Sequence, residues 1–131
     1  MTRFSHFHLP EKVEQMYREA RTAFASGAFT LCGVGLRAIV EALCRDQGLN
    51  GNLAKMIEEL VTKGHLARAQ ADLLHEERYL GNAAVHEMER PTKLDLDDGF
   101  GIIEGLLKTL YVLPEHAARL RKKREAKAGK K

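Results

Sequence analysis

Apolar residues in this chain recur at the three-to-four-residue spacing of one helix face and nowhere alternate with period two over a useful length. Pro10 opens the first such run. Glu11 and Glu14 place carboxylates at its positive end, and Val13, Met16, Tyr17, Ala20 and Phe24 carry an apolar stripe to a stop at Gly27. A second run, from Ala28 to about Gln47, has the stripe Cys32, Leu36, Ile39, Val40, Leu43 and Cys44, with Gly48 as its stop. After the polar connector GLNGN, a third covers about Leu53 to Lys63 through Met56, Ile57, Leu60 and Val61, ending at Gly64. A fourth runs from about Leu66 to Glu87, limited by Pro91, and a fifth from near Leu94 to Val112, where Pro114 interrupts it.

Short connectors and the lack of a linker between two cores predict an all-α fold, a four- to five-helix antiparallel bundle over residues 1–114. Residues 115–131 are expected to form a basic C-terminal tail, as a frayed helix or disordered. The fifth run carries Gly99, Gly101 and Gly105, each costing about 1 kcal/mol of helix stability relative to Ala. Such costs point to close helix contact or to a later helix start.

Composition narrows the function classes. With 44% hydrophobic, 30% charged and 6% aromatic residues and no Trp, the chain reads as a soluble domain without a broad stacking surface for bases. The formal charge of +3 conceals an uneven distribution, because Arg119–Lys131 hold eight Lys or Arg against one acid, leaving 13 basic and 17 acidic side chains before them. A solvated helix end is the expected reading of that tail, ahead of non-specific contact with phosphate backbones. Cys32 and Cys44 would lie roughly 18 Å apart along one helix, beyond disulfide reach, and are expected as reduced core thiols.

No apolar run approaches the ~20 residues of a membrane span, and MTRFSHFHLPEK lacks an apolar signal core, so a cytoplasmic location without membrane contact is expected. There is no Gly-rich phosphate loop, no zinc-spaced Cys pair, no HExxH and no GxSxG. His6 and His8 form an HxH pair without further announced ligands, so neither a metal nor a cofactor is expected.

The chemistry concentrates in ERYLGNAAVHE, Glu77 to Glu87, where a helical run places Gly81, Asn82 and His86 beside better helix formers. On a wheel with Leu73 at zero, Leu80, Ala84, Gly81, Leu74 and Val85 fall on an arc from about 340° through 120°, the expected core face. Arg78, Asn82, His75 and His86 form a polar band at about 140° to 220°, with Arg78, Asn82 and His86 stacked at successive turns. A cation, an amide and an imidazole in one column can hold and orient a phosphate and move a proton near neutral pH. The plain alternative is a solvated helix face. Arg37 and Glu41, one turn apart on the second run, read either as a surface ion pair or as a partner band facing this column.

The segments YREARTAFASGAF, LRAIVEALCRDQG, LAKMIEELVTKGHL, ERYLGNAAVHE and LLKTLYVLP, in that order, resemble domain-of-unknown-function family 4145 over roughly Leu9 to Pro114. That is a small helical domain found alone or appended to restriction endonucleases and other phage-defence proteins. The resemblance extends to the HEPN superfamily, whose helical domains include metal-independent ribonucleases and nucleotide-binding modules that act as dimers. The superfamily signature is an Arg, a polar residue, three residues and a His; Asn82 and His86 match it, and Gly81 stands where it has Arg.

The resemblance implies a HEPN-like homodimer that binds RNA, a nucleotide or a protein partner through Asn82, Arg37 and Glu41. As an alternative it implies a metal-independent endoribonuclease. In that case His86 transfers a proton at the 2′-hydroxyl, and Arg78, the nearest arginine on the same helix, steadies the phosphate. In a third, structural reading, Asn82 and His86 only tie helices together by hydrogen bonds.

Overall fold

The computed structural model describes residues 9–129, and the His6–His8 pair lies outside them. The described chain is all-α: α1 Glu11–Ala25, α2 Phe29–Asp46, α3 Leu53–Thr62, α4 Arg68–His86, α5 Lys93–Leu107, a π-helical turn Lys108–Val112, and α6 Leu113–Gly129. Three of the stops are the glycines that the pattern marks. Gly27, Gly48 and Gly64 take φ of 81°, 82° and 79°. The residue after each donates its N–H five positions back, Ala28 to Ala23 at 2.9 Å, Leu49 to Cys44 at 3.2 Å and His65 to Leu60 at 2.9 Å, so each helix closes in a Schellman motif.

Starts are fixed by side chains that satisfy the orphan N–H groups of a first turn. Asn52 accepts from the Lys55 N–H at 2.9 Å. Thr92 and Asp95 cap each other's backbone at 3.1 and 3.0 Å, and Gln70 reaches back to the Ala67 N–H at 2.9 Å.

At Pro114 the chain does not stop. A five-residue π-helix, Lys108–Val112, comes just before it, with Leu113 donating to Lys108 O, and α6 follows without a break from Leu113. The register change lets the helix absorb the residue whose ring and missing N–H break a regular i→i−4 ladder. Helix therefore extends through Gly129, and none of the α6 residues is buried.

α2 is the central element. Its Cys32, Gly33, Leu36, Ile39, Val40, Leu43 and Cys44 are all buried, and α1, α3, α4 and α5 pack on it. Val13, Tyr17 and Ala20 from α1, Met56, Ile57 and Leu60 from α3, Ala71 and Leu74 from α4, and Leu96, Phe100, Ile103 and Leu107 from α5 complete one cluster. Burial raises the two thiols, to about 11 for Cys32 and about 12 for Cys44, as expected for reduced thiols in an apolar core.

The buried face of α4 is rotated from the one its hydrophobic pattern predicts. Val85 is 40% and Leu73 43% exposed, whereas the buried positions are Ala71, Leu74, Glu77, Gly81 and Ala84. The buried arc centres near 80°, not near 50°, at 100° per residue. Hydrophobicity alone misplaced it because the centre of the arc is held by an acid and a glycine.

Candidate functional site

α4 meets α2 at Gly81. A Cβ there would lie 2.4 Å from Arg37 Cβ, 2.9 Å from its Cδ and 3.0 Å from its Cγ, so the aliphatic stem of Arg37 occupies the space that a side chain at position 81 would need. The stem lies across the helix, and its Nε donates to Asn82 Oδ1 at 3.0 Å. A glycine, an asparagine and an arginine forty-odd residues away are thus one structural unit. Gly81 permits the approach, Arg37 fills it, and Asn82 orients the guanidinium.

From there the charges run along α2. Arg37 stands 3.5 Å from Glu41, which also accepts from Arg45 at 3.0 Å. The Arg37 side chain is 32% exposed and Glu41 35%, so the guanidinium is held from one side and open to solvent on the other. In high dielectric such pairs contribute about 0.3–0.5 kcal/mol each, too little to prevent Arg37 from turning to a more strongly charged anion.

His86 is exposed and is the last residue of α4, one turn beyond Asn82. Arg37 and Asn82 are brought together, and His86 lies four residues beyond Asn82 on α4.

Arg78 is placed elsewhere. Its Nε donates to His75 Nδ1 at 3.2 Å, and its guanidinium lies 4.4 Å from the centre of the Tyr79 ring. With Nδ1 accepting, His75 takes its Nε2–H tautomer and donates to Glu58 Oε2 at 2.7 Å. Glu58 in turn receives both terminal nitrogens of Arg68, at 2.6 and 2.7 Å. The Arg68 hydrogen bonds, followed by that of His75, hold the Glu58 carboxyl down at about 2. This relay ties α3 to α4. The polar band read from the wheel is therefore two groups, Arg78 and His75 turned towards α3, and Asn82 turned towards α2.

Two buried acids escaped the pattern. Glu104, 8% exposed, accepts from Tyr17 Oη at 2.6 Å and pairs with Arg21, whose guanidinium also lies 3.9 Å from the Phe100 ring centre. Burial, and then the bond to Glu104, raise the Tyr17 hydroxyl. Glu77 is 1% exposed, and its Oε2 has no hydrogen-bond partner among the described residues. Burial alone pushes its carboxyl up to about 8. Its signal was in the sequence, since it falls at about 40° on the α4 wheel, inside the apolar arc.

Compared with known families, residues 18–123 match the model of a domain of unknown function, DUF4145. No curated protein and no solved structure matches the chain significantly.

Proposed function

The chain belongs to the DUF4145 family, and from that premise we propose that it is a HEPN-like binding module, acting as a homodimer in a phage-defence or toxin setting. On this reading it recognises a phosphate-bearing ligand, RNA or a nucleotide, at the α2–α4 face. The observation that carries this reading is the seating of Arg37 on Gly81 with its Nε on Asn82. A cation from α2 thereby stands beside the position where the superfamily signature has its arginine. In this reading Arg37 meets the phosphate, Asn82 keeps the guanidinium oriented, Glu41 holds it in the unliganded state, and His86 adds an imidazole donor.

Fluorescence anisotropy of a labelled single-stranded RNA, in EDTA and at several salt concentrations, tests the proposal. Binding is expected to weaken steeply with salt and further in His86→Ala. Binding indifferent to both would remove it.

The same seating favours a second reading, a metal-independent ribonuclease in which Arg37, not Arg78, stabilises charge at the scissile phosphate and His86 transfers the proton. Arg78 fits that role less well because His75 and Tyr79 already hold it. Cleavage of mixed RNA in EDTA that is lost in His86→Ala supports this reading. Failure of the wild-type protein to cleave discards it and leaves binding intact.

A further inference from the structure

A different side of α4 faces α5 across an open groove that the α2–α4 face does not share. One segment, of about 330 Å³, is lined by Glu76, Glu77, Leu80, Asp98 and Ile102 among others. The next, of about 760 Å³, begins at the same Asp98 and Ile102 and continues past Asp97, Leu73, Gly101 and Gly105. Carboxylates thus recur along an aliphatic floor.

Two independent features mark this groove as a site rather than a seam. The first is Glu77, a groove-lining residue whose carboxylate is buried against Gly99, itself in the lining, with Oε2 left without a partner among the described residues. Buried carboxyls without partners are costly, and native structures retain them where something else is meant to satisfy them. The second is the glycines of α5. Gly99 answers to packing, because a Cβ there would meet Leu36 Cδ1 at 2.7 Å and Glu77 Oε1 at 3.2 Å. Gly101 and Gly105 do not, since a Cβ at either would meet nothing within 4 Å. Both lower helix propensity, and their effect is to keep the groove wide.

We propose that the α4–α5 groove binds an aliphatic polyamine, one ammonium docking at Glu77, the next near Asp98 and Asp97, and the methylene segments between them lying on Leu80 and Ile102. A divalent metal fits less well, because among the described residues no three His, Cys, Asp or Glu side chains are grouped to hold one. A single small amine would leave most of the acidic length unused.

The groups around Glu77 bear on its ionisation. Cys32 and Leu36 approach from α2, Asp95 and Asp98 line the groove from α5, and Glu76 is its neighbour on α4. Arg37 of α2 crosses α4 one turn away at Gly81, but its guanidinium turns to Asn82 and Glu41, so burial holds the carboxyl protonated until a cation arrives, and binding expels a proton.

Calorimetric titration of the full chain with spermidine at low salt and near-neutral pH, in buffers of different ionisation enthalpy, tests this. The wild-type protein is expected to bind saturably with release of about one proton. Glu77→Gln, which keeps shape and fold, is expected to bind about tenfold more weakly with no proton release. Gly105→Leu, which fills the groove without changing charge, is expected to weaken binding similarly. Unchanged affinity in both variants, displacement of spermidine by an equal concentration of magnesium, or no saturable binding by the wild-type protein would overturn the proposal.

Discussion

Arg37 crosses from α2 to lie on Gly81 and donates its Nε to Asn82 Oδ1 at 3.0 Å, so the interior of α4 carries a glycine because an arginine from another helix rests there. Removing that space is the first prediction. Alanine is the better helix former by about 1 kcal/mol, yet Gly81→Ala is expected to destabilise by about 1–3 kcal/mol through overpacking. Because the nearest atom is Arg37 Cβ at 2.4 Å, Arg37→Ala is not expected to rescue Gly81→Ala. Urea unfolding of the two single variants and the double variant measures this, and full rescue would contradict it.

Asn82 orients a half-exposed group, so its own contribution to stability is small. Asn82→Ala is expected to cost about 1 kcal/mol or less in chemical denaturation while weakening RNA binding. A loss above about 2 kcal/mol with binding unchanged would instead assign Asn82 to the structural reading.

Glu77 gives a pH signature. Its folded carboxyl titrates at about 8 against an ordinary value of 4.5, so the folded state holds the proton more tightly. Its contribution is complete below the unfolded value and declines as pH rises through the folded one. Stability relative to Glu77→Gln is therefore expected to fall between about pH 5 and 8, by roughly 3 kcal/mol at neutral pH, and to level off above that range. Parallel denaturation curves for the two proteins across this range would contradict the burial of an unpartnered acid.

The Tyr17–Arg21–Glu104 cluster ties α1 to α5, and its members are not equivalent. Tyr17→Phe leaves Glu104 its arginine and is expected to cost about 1 kcal/mol, whereas Arg21→Ala leaves a nearly buried carboxylate with the phenol and is expected to cost more, about 2 kcal/mol. Thermal unfolding ranks them. The reverse order would place the weight of the cluster on the phenol.

The helices were legible because burial on α2 writes a clean stripe, and because Gly27, Gly48 and Gly64 supply left-handed caps that few other residues accept. Pro114 misled, since a π-helical turn upstream absorbs it without ending the helix. Within the candidate site, Asn82 and His86 could be picked out by spacing along one helix, but the pairing of Asn82 with Arg37 could not. It depends on how closely α2 and α4 approach, and a single-helix wheel carries only a hint of that in the glycine at 81. The same wheel held Glu77 within its apolar arc, where an acid is the more informative residue.

The most direct test of the central claim, that α2 supplies the cation of the α4 site, is the affinity of Arg37→Gln for a labelled single-stranded RNA in EDTA at fixed salt. Glutamine keeps part of the stem on Gly81 and removes the charge, so the fold is expected to persist, as circular dichroism would report. Binding is expected to be at least about tenfold weaker than in the wild type, with a shallower salt dependence. Wild-type affinity in the folded Arg37→Gln protein would contradict it.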